Sequence, residues 1–405
     1  MTKKLYEETD VQAIATAIRL KNGGSTGYKL AQMATAIESL KTGDYFTQAD
    51  TPDYVKAAAL DVAKKVKDVQ TSDSITFIAA ADAHQTDADQ YVVDGNLHAC
   101  MAMKAISYVL PDIDFCCFLG GYTVGSSTTT TSEGRQHFTE INAGLKEGFA
   151  GLPQFRTPGD CDGLRNSMTV NDGWLSSSEI YSYVGKYNEG AAYGSTSEGY
   201  CYRDFEEKKL RVICLNTSEL GENYDNVSVT QRLWLARTLR AVGLKTGWGV
   251  IILSHYPLDF SEAGASSSAS SVGNLLRQYV DGGSVKFSGM AMSFKNANNA
   301  KIYATFHGHT HNFKAALLND VQDTGSTEFD VLRISVPNMC YYHSNDFGQN
   351  EGTDSNGIEY GEETSYTKAS GTANDTAFVV NVVNPSEGKI YSFCYGAGYD
   401  RELSI

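Results

Sequence analysis

Three imidazoles fall within five residues at His307-Gly308-His309-Thr310-His311, directly after the apolar run Ile302-Tyr303-Ala304-Thr305-Phe306. Neutral imidazoles gathered at the end of a strand are ligands for a borderline dication such as Zn, Mn or Fe. A histidine cluster alone is also an ordinary surface feature, so the weight falls on what stands upstream. There the chain has Asp82-Ala83-His84 after the run 75–80, Gly120-Gly121-Tyr122 after 115–119, Gly159-Asp160-Cys161-Asp162 after 154–157, and Ser254-His255 after 249–253. The carboxyl ends of strands in a layered α/β domain converge on one rim, so carboxylates and imidazoles far apart in sequence can meet there. Five strand ends are expected to make one pocket.

The elements that must position these residues follow from pattern. The runs 75–80, 115–119, 154–156, 210–215, 249–253 and 301–306 are apolar and rich in β-branched or aromatic residues, as buried strands are. They alternate with helical stretches such as 94–109, with Leu97, Met101 and Ala105 apolar, which predicts an α/β layered domain over 74–405. Residues 344–375 are rich in Gly, Ser, Thr, Asn and acids and are expected to be a loop or insertion. A closing hairpin is predicted from 377–383 and 389–395 around Asn384-Pro385-Ser386-Glu387-Gly388. Ahead of the main domain, residues 1–43 are expected to form two short helices, the first with Val11, Ile14, Ala15 and Ile18 on one face, the second over about 28–40. Such a pair is too small to bury a core alone and should dock or self-associate. Residues 44–73 make a linker and a helix that starts at Asp50-Thr51-Pro52-Asp53 and carries Val55, Leu60, Val62, Ala63 and Val66.

Composition narrows the function classes. With 405 residues, 41% of them hydrophobic, and no apolar run of transmembrane length, the chain reads as a soluble protein. Met1-Thr2-Lys3-Lys4 leads into a polar segment, so no secretory signal is expected. A net charge of −15 argues against a nucleic-acid footprint. Several of the eight cysteines sit inside apolar runs, and no CxxC knuckle occurs, which fits reduced core thiols.

The order D-x-H, G-x, G-x-x-D, H, G-H-x-H, carried here by Asp82/His84, Gly120/Gly121, Gly159–Asp162, His255 and Gly308–His311, resembles that of the calcineurin-like metallophosphoesterases. The resemblance spans residues from about 74 to 405. It implies a double β-sandwich flanked by helices and a two-metal active site. It also implies that Asp82, His84 and His311 hold one ion, that His255 and His309 serve the second, and that Asp160 supplies the remaining ligand. A second resemblance joins Lys4-Leu5-Tyr6, Asp10, Ile14–Arg19, Tyr28-Lys29-Leu30 and Met33–Ile37 to the opening of tail proteins from phages and prophages of Gram-positive bacteria. It implies assembly into a virion tail, with other tail proteins and a bacterial surface polymer as partners and a homo-oligomer as the working form.

Two positions depart from the family pattern. Gly121 stands where the family has an Asp bridging both ions. Two dications about 3.5 Å apart repel by about 20 kcal/mol at an effective dielectric of 20, so loss of the bridge points to one tightly held ion, and Gly121→Asp is expected to restore the pair. Asp160-Cys161 stands where the family has Asn-His. Asp160 returns a carboxylate to the ligand set, while Cys161 replaces the imidazole that assists the leaving oxygen. A thiol is a poor general acid for an alkoxide, so residual activity should favour diesters or activated substrates.

Two readings result. One is a metal-dependent phosphodiesterase on a phage tail, with one or two divalent transition metals (Mn, Fe, Zn or Ni) and activity impaired at Gly121 and Cys161. The other is an inactive tail or receptor-binding protein that keeps the phosphoesterase fold as a scaffold, with no metal required. Among the remaining residues, Tyr122 and His343 are candidates for the pocket rim, Tyr256 and Tyr341 for a substrate groove, and His307 for a structural role. His98 and His137 fit helix packing or the surface.

Overall fold

The computed structural model describes residues 51–124, 130–149, 151–163, 177–188, 190–195, 198–218, 227–258, 269–287, 289–319, 328–340, 352–353, 359–360 and 368–405. The two helices expected within 1–43, and the tail-protein resemblance they carry, lie outside the described residues, as do Tyr341 and His343. The compact unit is Pro52–Ile405.

In chain order the described strands are β1 (Ile75–Ala80), β2 (Phe115–Phe118), β3 (Gln154–Arg156), β4 (Ala192–Tyr193), β5 (Cys201–Phe205), β6 (Leu210–Cys214), β7 (Gly249–Ser254), β8 (Ser284–Phe287), β9 (Met290–Ser293), β10 (Lys301–His307), β11 (Ala315–Asn319), β12 (Glu328–Ser335), β13 (Gly352–Thr353), β14 (Glu359–Tyr360), β15 (Ala377–Asn384), β16 (Lys389–Gly396) and β17 (Arg401–Ser404). The helices are α1 (Asp53–Val69), α2 (Gln90–Val109), α3 (Thr131–Gly148), α4 (Ser177–Tyr183), α5 (Val229–Gly243) and α6 (Ala269–Val280).

The architecture is mixed α/β with two large mixed sheets. One has the order β17-β16-β15-β1-β2-β3, the other β11-β12-β10-β7-β6-β5-β4. In the first, β1, β2 and β3 run parallel while β15 joins β1 antiparallel. In the second, β12, β10, β7 and β6 run parallel. Strand alternation divides the buried side chains. Phe77 and Ala79 of β1, Val212 and Cys214 of β6, Ile251 and Leu253 of β7, and Ala304 and Phe306 of β10 share one core between the sheets. Val250 and Ile252 point the other way, into a second core with Leu235 and Leu239 of α5 and Leu275 and Leu276 of α6. Strands covered on both faces read as continuous apolar runs, and those expected at 75–80, 115–119, 154–156, 210–215, 249–253, 301–306 and in the closing hairpin all form within one residue of their bounds.

On the far side of the first sheet, α1 packs against β15 and β16 and α2 packs against α1 and α3. The buried face of α1 is Val55, Ala59, Val62, Ala63 and Val66, not the stripe through Leu60, which is 44% exposed. Likewise α2 begins at Gln90, where the Asp89 side chain accepts from the Tyr91 amide, and it turns Leu97 outward. Within 344–375, β13 and β14 pair with each other, and its end is core: Lys368 and Asp375 are buried, as is Thr376 just beyond. Among the described residues no helix is long and apolar enough to cross a membrane.

Candidate metal centre

Parallel β1 and β2 end side by side, and beyond them the chain makes two turns that zip together. Asp82 N donates to Gly120 O, His84 N to Gly121 O and Gln85 N to Tyr122 O, at 2.8–2.9 Å. From α2, buried Asn96 donates to Ala83 O and Gln85 Oε1 and pins the first turn from its helix side. Beyond β10, the turn 308–311 enters the same space, with His309 N donating 2.8 Å to Asp82 Oδ2.

Four glycines make this approach possible. A Cβ on Gly120 would lie 2.5 Å from His255 Nδ1, and one on Gly159 2.8 Å from His255 Cε1. A Cβ on Gly308 would lie 2.8 Å from Asp82 Oδ2, and one on Gly121 2.4 Å from Asp82 Oδ1 and 2.8 Å from Asp82 Cα. Gly121 also has φ +72°, the left-handed region that a side chain strains. This corrects the expectation that Gly121→Asp simply returns the family's bridge, because the turn has closed onto Asp82 and no room is left for a side chain.

Six side chains gather in two groups, Asp82 with His84 and His311, and Asp160 with His255 and His309. In the first, His84 Nε2 and His311 Nε2 are 3.0 Å apart and stand 3.7 and 3.6 Å from Asp82 Oδ1. In the second, Asp160 Oδ1 is 3.1 Å from His255 Nε2 and 3.7 Å from His309 Nδ1. Ligands about 2.1 Å from a shared ion at angles of about 90–120° are about 3.0–3.6 Å apart, so the first triangle has the size a transition-metal ion requires, and the two separations from Asp160 in the second agree with it. The first passes a stricter test: Asp82 Oδ1 is buried and has no hydrogen-bond partner among the described residues, yet faces two imidazole nitrogens. The groups adjoin, with His255 Nδ1 4.0 Å from Asp82 Oδ1. His255 Nδ1 lies 2.7 Å from Leu119 O, and donation there aims Nε2 at Asp160.

The backbone carries strain at the same places. Among the described residues six that are not glycine have positive φ, and four of them are Asp82, His84, His309 and His311. Left-handed backbone costs about 1–2 kcal/mol per ordinary residue and persists where the surroundings over-determine it, most often at functional sites.

Charge within the site is mutually supporting. Burial works to raise the Asp82 carboxyl, but His311, His255 and His84 around it hold it below the usual carboxylate range. Burial likewise opposes ionisation of Asp160, and the hydrogen bonds and charges of His255 and His309 outweigh it. For His255 burial favours the neutral ring, yet the bond to Asp160 and the charges of Asp82 and Asp160 lift it to about 9. Asp82 and His255 form a buried floor, while Asp160 and His309, with side chains 17% and 22% exposed, open to solvent. A substrate can therefore reach the open side.

The other candidates separate. Tyr122 is not on a rim: the Gly120–Gly121 turn sends it inward, fully buried between Phe118 and Phe138. Tyr256 is buried with its ring 4.1 Å from that of His309. Cys161 opens a short 3-10 turn beside Asp160 and is 9% exposed. His307 is buried, its Nδ1 2.9 Å from Gly308 O, outside both groups. His98 Nδ1 meets Asp375 Oδ2 at 2.6 Å, and His137 is buried in α3.

Asp162 has a role that no motif in the sequence assigns. Its buried carboxylate accepts from the amides of Gly121, Tyr122, Thr123 and Gly159 at 2.6–3.2 Å, tying the β2 turn to the Asp160 turn. Burial pushes it up to about 6 against those bonds. The signal was present as an acid two residues past Asp160, between glycines.

The sequence matches no known protein-family model and no curated protein. Among solved structures, the chain is similar to one described as "Structure of PhoD", with 13% identity and a TM-score of 0.44, covering 82% of this chain and 72% of that one. A likeness that distant leaves the functional reading to the geometry of the site.

Proposed function

We propose that the chain is a metal-dependent phosphoesterase acting on phosphodiesters, with low turnover. The observation that carries this reading is the pair of adjoining ligand groups, each with one carboxylate and two imidazoles, His255 Nδ1 of one lying 4.0 Å from Asp82 Oδ1 of the other. Divalent ions at the two groups would act as Lewis acids on phosphoryl oxygens and make water acidic enough to attack at neutral pH. The chain's own residues do the rest. Asp82 and His255 fix the floor, the left-handed turns hold His84, His309 and His311 in place, and Asp162 locks the two loops that border Asp160. Cys161 at the leaving-group position favours substrates whose leaving oxygen needs no strong acid. The resemblance of residues 4–37 supports a tail-borne setting and a phosphodiester-linked surface polymer as substrate.

The second reading is a scaffold whose chemistry has been lost, and Gly121 favours it, because no side chain at that position can bridge two ions. Hydrolysis of bis(4-nitrophenyl) phosphate with added Mn²⁺ separates the two. Slow turnover that needs Mn²⁺ and disappears in His255→Ala supports the enzyme. Mn²⁺ binding without turnover supports the scaffold, and turnover unaffected by chelation removes the metal reading.

A further inference from the structure

A buried lysine sits behind the Asp82 turn. The ammonium of Lys368 is held by three oxygens, Asn338 O, Asn338 Oδ1 and Cys340 O, each at 2.6 Å. An ammonium has three donors, so these oxygens saturate it. The same short segment pairs with the turn that presents Asp82. Ala81 and Asn338 form a parallel bridge, Met339 N donates 2.9 Å to Ala81 O, and Cys340 N donates 3.0 Å to Asp82 O. Thr376 Oγ1 closes the arrangement on Met339 O at 3.0 Å. Segment 338–340 is thus fastened by its carbonyls to Lys368 and by its amides to Ala81 and Asp82.

A cationic side chain in this position is a costly way to fill a core, since its three partners are all neutral oxygens and burial penalises the charge. An apolar residue would fill the space at less cost, but it could not gather three acceptors and so set the pitch of the segment. What needs setting is nearby: Asp82 has φ +55° and one carboxylate oxygen without a partner. We infer that Lys368 is a positioning residue for the Asp82–His84–His311 group, acting through residues 338–340 to fix the strained Asp82 turn in the geometry that receives a divalent ion. This rests on the metal-binding reading above, and its effect should be larger at the first group, because segment 338–340 contacts the backbone of Asp82 and Ala81, whereas the second group meets Asp82 only through the His309 amide and His255.

Lys368→Met keeps the length of the side chain and removes its donors. The affinity of the first group for Mn²⁺ is measured by calorimetry in a His309→Ala background, and that of the second in a His84→Ala background. Expected is a loss of about tenfold or more at the first group, the range seen when groups behind metal ligands are removed, and less than about threefold at the second. Equal losses at both groups would mean a general structural role and overturn the inference, as would unchanged affinity at the first group in a parent that binds Mn²⁺. A parent that binds no Mn²⁺ at either group is a different result, which overturns the metal reading and this assignment with it. Should Lys368→Met fail to fold, Lys368→Gln keeps two N–H donors on a shorter stem and is expected to show the same preference for the first group, with the same results counting against it.

Discussion

Gly121→Ala adds one carbon where the family resemblance would place a whole carboxylate, and the structure assigns it a cost from two sources. At φ +72° an alanine pays the left-handed penalty of about 1–2 kcal/mol. Its Cβ would sit 2.4 Å from Asp82 Oδ1, 2.8 Å from Asp82 Cα and 3.2 Å from Asp82 Cγ. Since one of these is a backbone atom, the Asp82 turn itself must move, and overpacking of this kind costs about 1–3 kcal/mol. Together the loss is about 2–5 kcal/mol, read as a lower urea midpoint with an unchanged slope in chelator-treated protein. Because the displaced atom is Asp82 Oδ1, Mn²⁺ affinity at the first group should fall by at least about tenfold, and Gly121→Asp should be worse on both counts. A Gly121→Ala protein within about 0.5 kcal/mol of the parent, or a Gly121→Asp protein that gains a second ion, would refute the closed-turn argument.

Four further outcomes are expected. Metal analysis after dialysis should find one tightly held ion per chain, lost in His84→Ala and kept in His309→Ala, because Asp82 Oδ1 is an unpartnered buried acceptor whereas Asp160 already engages His255. Asp162→Asn should lose about 2–4 kcal/mol in urea unfolding, since an amide replaces one of two oxygens that together accept four backbone N–H groups; an unchanged midpoint would remove Asp162 from its tying role. His84→Gly should be more stable than His84→Ala by about 1 kcal/mol without metal, the reverse of the order in a helix, because φ there is +42°. Burial pushes Lys368 down to about 7, opposed by Cys340, Cys394, Asp375 and Asp82. Above that pH the folded chain releases a proton that the unfolded chain keeps, leaving an amine that can donate to only two of its three oxygens, so from pH 6 to pH 9 the parent should gain stability relative to Lys368→Met; parallel pH profiles would contradict the burial of a charged amine.

The strands of the two sheets were legible because each is covered on both faces, so the apolar runs that end in Asp82, Gly120, Gly159, His255 and His309 stand out against their polar ends. The ligand set could be collected from those ends for the same reason. Helix faces are harder to read: Leu60 and Leu97 fit apolar stripes of α1 and α2, yet the buried faces run through Val55, Ala59, Val62 and Val66 and through Ala99, Met103 and Ile106, and both leucines lie outside them. The direction of Tyr122 depends on two positive-φ glycines, Gly120 and Gly121, which no periodicity encodes. A lysine in a polar, glycine-rich stretch reads as surface, so no pattern marks Lys368. Its role comes from Asn338 and Cys340, about 30 residues earlier, at a strand end that sequence pattern had not linked to the site.

The two oxygens of Asp82 divide the work of the site. Oδ2 accepts the His309 amide and draws the 308–311 turn against the Asp82 turn, so the ligand histidines beyond β10 are placed by the same carboxylate that would share the ion with His311. Oδ1 is left without a partner, facing His84 and His311 at ion-binding distance. An arrangement selected for stability alone would have paired that oxygen and relaxed the four left-handed ligand residues, each of which costs about 1–2 kcal/mol. The fold instead keeps a buried acceptor open, with Gly121 against Oδ1, Gly308 against Oδ2 and Gly120 against His255, so that three backbones can approach the site. That combination is intelligible if an ion completes the first group, and Gly121 is part of it: a Cβ there would meet Asp82 Oδ1 and Cα, so the turn lies against the first group and leaves no room for a side chain that could bridge to the second.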